Sequence, residues 1–311
     1  VIFIPFGAGD RTQFQIPARS QIFTLAPIFM MTRLTIFFSI IIFAVTTVYG
    51  QTYEPLDLAK MIFGKDSLPN IDNYITGEYK GRPNGQDLQK SSTTKFMLLG
   101  QTERTAVVAM TIMDSSGIGL DTYLHFEKST IWKMNAFRAL ALTGIIEQVR
   151  IDLEKMTSQQ VDSIIAISKK KKKDDFAMFT SREDYNFQLG NAKLTLELDD
   201  NIAKHFVTNQ MEFERLKNLA LTQLEKEKVY EERSIRLIEN LKSDYHKLFI
   251  STVSTGGYEL GNCINFLIGG MVDNSVGYIY VKDEKDLPKM NPARVIMIKK
   301  IGNGWYIYKT T

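Results

Sequence analysis

The chain has 311 residues, of which 44% are hydrophobic, enough to build a packed core, and 23% are charged, an ordinary fraction. The formal net charge is +3 at pH 7, which is far from the basic domain that nucleic-acid binders carry, so we predict no nucleic-acid partner. The single cysteine excludes an intrachain disulfide.

The most apolar stretch of the sequence lies near its beginning. Arg33 gives the short, positively charged n-region, and residues 34–48 carry no charge. Gly50 stands where a signal peptidase would cleave. This order is typical of a secretory signal peptide, and the uncharged run is shorter than the roughly 20 residues of a spanning helix. We therefore predict a signal peptide at 31–50 and an exported protein, periplasmic or extracellular, that meets the membrane only through this transient segment. Retention as a membrane anchor is the alternative.

The rest of the chain divides into regions of different pattern. Residues 1–30 mix proline, glycine and apolar residues without a period, and we interpret them as an upstream extension before the true start. A first membrane segment is the other interpretation. We predict an N-terminal α+β unit at 51–156, a connecting helix and hairpin at 157–208, and a C-terminal helix-plus-sheet unit at 209–311.

The N-terminal unit begins with a short helical pattern and continues with strands. Pro55 starts a predicted helix that runs to Phe63, and Gly64 stands where it would stop. From Thr94 the apolar period changes to two, which predicts strands. Short turns separate them, which favours an antiparallel meander. The four predicted strands are "TKFMLLG", "TAVVAMTIM", "LDTYLHFEK" and "IWKMNAF".

Two helices are predicted next. Residues 138–156 have apolar side chains three and four positions apart, which places them on one helix face. They are Leu142, Ile145, Ile146, Val149 and Leu153. The "TSQQ" sequence at 157–160 fits a capping box and predicts the start of another helix. The lysine run at 169–173 is compatible with an anionic surface partner, but we interpret it as a solvated helix end.

The connecting region and the C-terminal unit contain both the alternating pattern of strands and the three-and-four spacing of helices. "DYNFQLG" and "AKLTLELDD" predict the two strands of the connecting hairpin, because leucines alternate in the second. Residues 209–250 predict two helices broken near 228–232, each with one apolar stripe. The final strands are predicted at "CINFLIGGM", "GYIYVKD", "ARVIMIKKI" and "WYIYKTT", with a hairpin turn at Asn303 and Gly304.

A helical segment followed by strands that end in "RVIMIKKIGNGWYIYKT" resembles exported members of the nuclear-transport-factor-two-like (cystatin-like α+β) superfamily. The resemblance covers 205–311, and more faintly 55–140, and its carriers are Trp132, Trp305 and the Asn303–Gly304 hairpin. It implies a long helix across a curved antiparallel sheet, with a cone-shaped cavity between them. This fold hosts enzymes, ligand pockets and interaction modules alike.

The fold class that we predict is therefore α+β, with helices packed on antiparallel meander sheets. "MDSSGIGLDTYLHF" and "VDNSVGYIYV" share an order of residues, and each precedes a strand that contains tryptophan. One interpretation of this weak internal similarity is that the chain contains two cystatin-like units. Chance similarity between two hairpin turns is the other.

The sequence carries no phosphate loop, zinc-protease motif, serine-hydrolase motif or paired cysteines, and we predict no catalytic residues, metal or cofactor. Among the three histidines, His125 is the one of interest, because strand alternation places it on one face with Asp121 and Tyr123. This row is our candidate ligand-binding site. A solvated face of an ordinary amphipathic strand is the alternative. Tyr278/Tyr280 and Tyr306/Tyr308 form further rows, compatible with a recognition platform or with cross-strand pairing.

These observations favour a non-catalytic binding or interaction module that uses a concave antiparallel sheet. Its partner would be an unknown small ligand or another envelope protein. The alternative is a pocket enzyme, of hydrolase or isomerase type, that uses His125 with Asp121. A structural partner that uses the helical region 209–250 is a third hypothesis.

Overall fold

Two antiparallel sheets and the helices packed against them make up the part of the chain that the computed structural model describes. The described residues are 53–66, 68–80, 84–170, 177–226 and 234–311. Some sequence predictions lie outside these residues. They are the predicted upstream extension at 1–30, the predicted signal peptide at 31–50, the end of the lysine run, and the predicted helix break near 228–232.

The first sheet is the predicted meander. Its strands are hydrogen-bonded in the order β1-β2-β3-β4, each antiparallel to the next. They are β1 (Thr93–Gln101), β2 (Thr105–Met113), β3 (Gly119–Lys128) and β4 (Trp132–Arg138). The period-two pattern of the sequence places alternate side chains on opposite faces. Val108 of β2 and Leu124 of β3 therefore belong to one core cluster, and Val107 of β2 and Tyr123 of β3 belong to another.

The outer face of this sheet is covered by the N-terminal helix α1 (Pro55–Ile62). Pro55 begins the helix with its fixed φ, and the apolar face of the helix buries Leu58, Ala59 and Ile62. These residues share a cluster with Trp132 of β4. The helix predicted from Pro55 to Phe63 is confirmed to within one residue.

The second sheet has the order β5-β6-β7-β9-β8. Its strands are β5 (Thr252–Thr255), β6 (Ile264–Met271), β7 (Asn274–Tyr280), β8 (Val295–Lys300) and β9 (Trp305–Thr310). The last strand is therefore internal, and the sheet is not a simple meander. The predicted hairpin turn is confirmed, because Gly304 takes a positive φ of 74° between β8 and β9.

Helices form the third component of the fold. They are α2 (Thr143–Glu154), α3 (Ser158–Ser168), α4 (Arg182–Leu196), α5 (Asp199–Thr208), α6 (Gln210–Leu224), α7 (Lys242–Lys247) and α8 (Gly257–Leu260). Phe206 of α5 and Phe213 of α6 pack against Tyr278 and Trp305 of the second sheet. Tyr123 of the first sheet belongs to the same cluster, so the central core joins both sheets. In the described residues, no helix has the length and apolarity that crossing a bilayer requires.

The hairpin predicted in the connecting region is wrong. Residues 182–196 form helix α4, which Ser181 caps by accepting from the backbone N–H of Asp184. The alternating leucines misled the prediction, because the chain is extended only at the junction of two helices, at Glu197 and Leu198. Leu194 and its neighbour Thr195 are both buried, which a half-exposed strand would not allow.

The other helix predictions need partial correction. The helix expected at 138–156 begins only at Thr143, and of its apolar stripe only Leu153 is buried. The capping box at 157–160 is confirmed at the start of α3. The second helix expected before residue 250 is short, because the backbone at Ile235 and Leu237 pairs with β5. These residues satisfy their N–H and C=O groups across strands, so they do not continue a helix.

Candidate functional site

The polar row predicted on β3 points into the interior of the protein. Asp121, Tyr123 and His125 share one face, as expected, but their exposed fractions are only 6%, 0% and 3%. The sequence predicted that the opposite face alone would meet the core. Both faces are in fact covered, because the second sheet and α5 pack against the row.

Asp199 connects this row to the second sheet. It is the first residue of α5, and the hydroxyl of Tyr123 donates to both of its carboxylate oxygens at 3.0 Å. The Nζ atom of Lys309 on β9 lies 2.8 Å from Asp199 Oδ1, and both side chains are 5% exposed. The same Nζ atom lies 5.6 Å from the centre of the Tyr123 ring. We call these residues, with Asp121 and His125, the buried seam.

Asp121 holds the start of α5. Its carboxylate accepts from the backbone N–H of Asp199 at 2.6 Å and from the hydroxyl of Thr111. A carboxylate at a helix N-terminus satisfies a backbone donor that has no partner within the helix. Burial, and then the neighbouring Asp199, raise the pKa of Asp121. The same two causes raise the pKa of Tyr123, which therefore stays a hydroxyl donor.

His125 is the least satisfied member of the buried seam. Its Nε2 atom is buried and has no hydrogen-bond partner. Burial, and then the positive charge of Arg138, lower the pKa of His125 to about 4, and the backbone of Ile296 offsets part of that shift. The ring is therefore neutral at neutral pH. It is a base in principle, but it needs a substrate within hydrogen-bond reach to act as one.

The space beside the buried seam is too small for a substrate. Its outer end is closed by Asp200, which accepts from Lys95 at 2.8 Å and from Lys299 at 2.6 Å. Those hydrogen bonds lower the pKa of Asp200 to about 2. The crevice between these groups has a volume of about 10 Å³, which is about the space of one water molecule. The arrangement joins two sheets and a helix through paired charges.

Sequence reasoning missed two members of the buried seam. Asp199 was placed in a predicted strand, so its position at a helix N-terminus was hidden. The position of Lys309 could have been inferred from strand alternation, because Lys309 shares the inward face of β9 with Trp305 and Ile307. A single cation on an apolar face is rarely buried without an anion, so this pattern calls for a buried carboxylate nearby.

A wide groove lies at the edge where the two sheets approach each other. The hairpin between β1 and β2 forms one wall, and residues 284–291 with β8 form the other. Its volume is about 1180 Å³. Met290 lines the groove, and its side chain lies close to Gly100 of β1. The backbone N–H of Ile298 on β8 donates to the Sδ atom of Met290 at 3.2 Å.

The tyrosine rows of the second sheet do not form an exposed platform. Tyr278, Tyr306 and Tyr308 are buried, and Tyr280 is half-buried. The hydroxyl of Tyr278 donates to the carbonyl of Ile202 on α5. These rings therefore stabilise the packing of the sheet, which is the cross-strand interpretation of the pattern.

No protein family, curated protein or solved structure that we compared matches this chain. Within the described ranges, no group of three or more histidine, cysteine or acidic side chains has the arrangement of a metal site.

Proposed function

We propose that the chain is an exported, non-catalytic binding module, and that the groove between its sheets takes an extended segment of a partner polypeptide. Export is supported by the order of charge and hydropathy in residues 31–50. The groove replaces the concave sheet face of the sequence-based hypothesis, because the described faces of both sheets contribute to packed clusters.

The two walls of the groove belong to edge strands. β1 is the first strand of its sheet and β8 is the last of the other, so each pairs with a neighbour on one side only. An edge strand presents backbone N–H and C=O groups that an added strand can pair with. Partner peptides use such edges through main-chain hydrogen bonds, while side-chain pockets give specificity.

The observation that carries the proposal is the hydrogen bond from Ile298 to Met290. Ile298 lies opposite Tyr308 in the β8–β9 pair, yet its N–H points away from β9, toward the groove. A thioether is a weak acceptor, and a methionine side chain changes its conformation readily. A carbonyl of an incoming peptide is a stronger acceptor and would replace the sulfur.

The lining of the groove indicates the chemistry of the peptide. Apolar side chains contribute to it, including Leu99, Val107, Leu287 and Met290. Its charged residues include three cations and two anions, namely Arg104, Lys289 and Lys300 with Glu103 and Glu284. An extended segment with alternating apolar residues and acidic ends complements this surface.

A capped peptide of sequence Asp-Val-Thr-Val-Thr-Val-Asp tests the proposal in a fluorescence titration of the chain. We expect it to bind, and we expect the same peptide with alternate N-methylated amides to fail, because N-methylation removes strand pairing. Ile298→Pro removes an N–H that faces away from β9, and we expect a loss of at least about tenfold in affinity. Because the Ile298 side chain is buried, the unfolding midpoint of this variant is measured beside its affinity.

Controls separate recognition from loss of folding. Met211→Ala changes a side chain that is 89% exposed and outside the groove, so its affinity should equal that of the wild type. Arg104→Glu should weaken binding of the acidic peptide and improve binding of its lysine-ended analogue. Equal affinity for the plain and the N-methylated peptide, or no binding of either, would overturn the proposal.

The enzyme alternative gains no support from the site geometry. His125 and Asp121 face paired groups in the core, and the adjoining crevice holds about 10 Å³. The resemblance to the nuclear-transport-factor-two-like superfamily, and the duplication of two cystatin-like units, stay predictions.

A further inference from the structure

A second opening, between α4 and α7, has the size of a small-molecule pocket. Its volume is about 540 Å³, within the range of about 300–1,000 Å³ in which ligand pockets fall. Phe187 of α4 and His246 of α7 stack in its wall, with ring centres 3.7 Å apart and planes within 6°. Phe249 also lines the pocket.

Phe249 is held in an unusual backbone conformation. Its φ is 59°, in the left-handed region that a bulky residue rarely adopts. The amide of Asn191 donates to its carbonyl at 2.7 Å, and its ring lies over Gly190, where a β-carbon would clash with it. Such strain persists only where the surrounding structure fixes it, and it is frequent at binding sites. The aromatic end of the pocket is therefore built before any ligand arrives.

The charges around this pocket are not equally available. Asp184 accepts from the backbone N–H and the hydroxyl of Thr180. A hydrogen bond from its own backbone N–H, and then one from the Ser181 side chain, lower the pKa of Glu183. The Nζ atom of Lys247 lies 3.5 Å from Oδ1 of Asp244. Lys242 makes no hydrogen bond or ion pair within the part of the chain that the structure describes. The acids are already engaged at the start of α4, and the free group is an ammonium.

We propose that this pocket binds a small planar aromatic carboxylate. The ring of the ligand lies against the aromatic wall, and its carboxylate meets the ammonium of Lys242. Aromatic contact and a charge-assisted hydrogen bond are both stabilising, and the second distinguishes an acid from a neutral ring of equal size. The site is separate from the groove and is formed by different elements.

The probe for this site is 2-naphthoate, with the uncharged isostere 2-naphthamide as a second ligand, measured by calorimetry on the full chain. We expect the wild type to prefer the carboxylate. Lys242→Gln should lower the affinity for naphthoate about tenfold and abolish the preference. Lys155→Gln, on the exposed end of α2, is the matched control and should bind as the wild type does.

Ser243→Trp fills the pocket from an exposed position, so it tests the location without disturbing the core. We expect it to abolish naphthoate binding while the chain keeps its unfolding midpoint. Absence of naphthoate binding, or equal affinities for Lys242→Gln, Ser243→Trp and wild type, overturns the proposal. Ile298→Pro should leave naphthoate binding unchanged, so failure at this pocket and failure at the groove are distinguished.

Discussion

The buried seam and the groove both involve the first sheet, and they differ in what their polar groups have as partners. In the seam, Asp121, Tyr123 and Asp199 are bonded to one another, and Lys309 pairs with Asp199. In the groove, the acceptor of the Ile298 N–H is the thioether sulfur of Met290. A row of polar side chains therefore does not identify a binding site by itself. The groove differs from the seam in two respects, because it has free space and its Ile298 N–H has only a weak acceptor, and our proposal rests on both.

The largest effect expected in the seam comes from Lys309→Met. The substitution leaves the Asp199 carboxylate buried without its cation, which costs about 3–5 kcal/mol of unfolding free energy. Urea denaturation measures it. Adding Asp199→Asn removes the uncompensated charge, so the double variant should recover part of the loss. A loss below about 1 kcal/mol would show that the pair is not buried as described.

His125 makes stability depend on pH. Its pKa is 6.5 in the unfolded chain and about 4 when folded, so between these values only the unfolded chain binds the proton. Stability therefore falls as the pH decreases from 6.5 to 4, by at most about 3 kcal/mol. The raised pKa of Asp121 acts with the opposite sign.

The variant His125→Phe isolates this contribution. We expect a smaller fall in the free energy of unfolding than the wild type shows across the same pH range, measured by denaturant titration at each pH. Parallel stability profiles for the two proteins would mean that the ring is accessible to protons in the folded state.

Tyr123→Phe should have an intermediate effect. It keeps the ring in the core and removes only the hydroxyl that donates to Asp199, so we expect a loss of about 2 kcal/mol in thermal or urea unfolding. An unchanged midpoint would indicate that Asp199 is satisfied without it.

The smallest effect should come from Lys95→Met, at the solvent end of the same region. Lys95 and Asp200 are both more than half exposed, and Asp200 keeps its second partner, Lys299. The expected loss is below about 1 kcal/mol and should shrink with added salt. A loss as large as that of Lys309→Met would mean that the exposed Lys95–Asp200 pair stabilises the fold as much as the buried Lys309–Asp199 pair, which contradicts this expectation.

The sequence predicted the four strands of the first sheet and four of the five strands of the second, because strand alternation and turn residues act locally, but it missed β5. The four strands of the first sheet and the turn at Gly304 follow from them directly. It failed at α4, where alternating leucines span a junction between two helices. Here tertiary packing outweighs the alternating pattern of the sequence, because these residues form a helix that lies against α2 and β6.

The sequence predicted which residues form the candidate row but not which residues cover it. Alternation correctly put Asp121, Tyr123 and His125 on one face of β3. Their partners, Asp199 and Lys309, are 78 and 188 positions from Asp121 in the chain, so no local pattern connects them. Long-range packing determines what covers a sheet face, so the burial of this row could not be read from the local sequence.

Amide chemical-shift mapping with the Asp-Val-Thr-Val-Thr-Val-Asp peptide shows whether the groove or the buried seam binds the peptide, and it locates binding without any substitution. We expect the largest shifts at Ile298 of β8 and Gly100 of β1, with residues 121–125 unchanged. Largest shifts at Asp121 to His125, with the groove unaffected, would contradict this expectation.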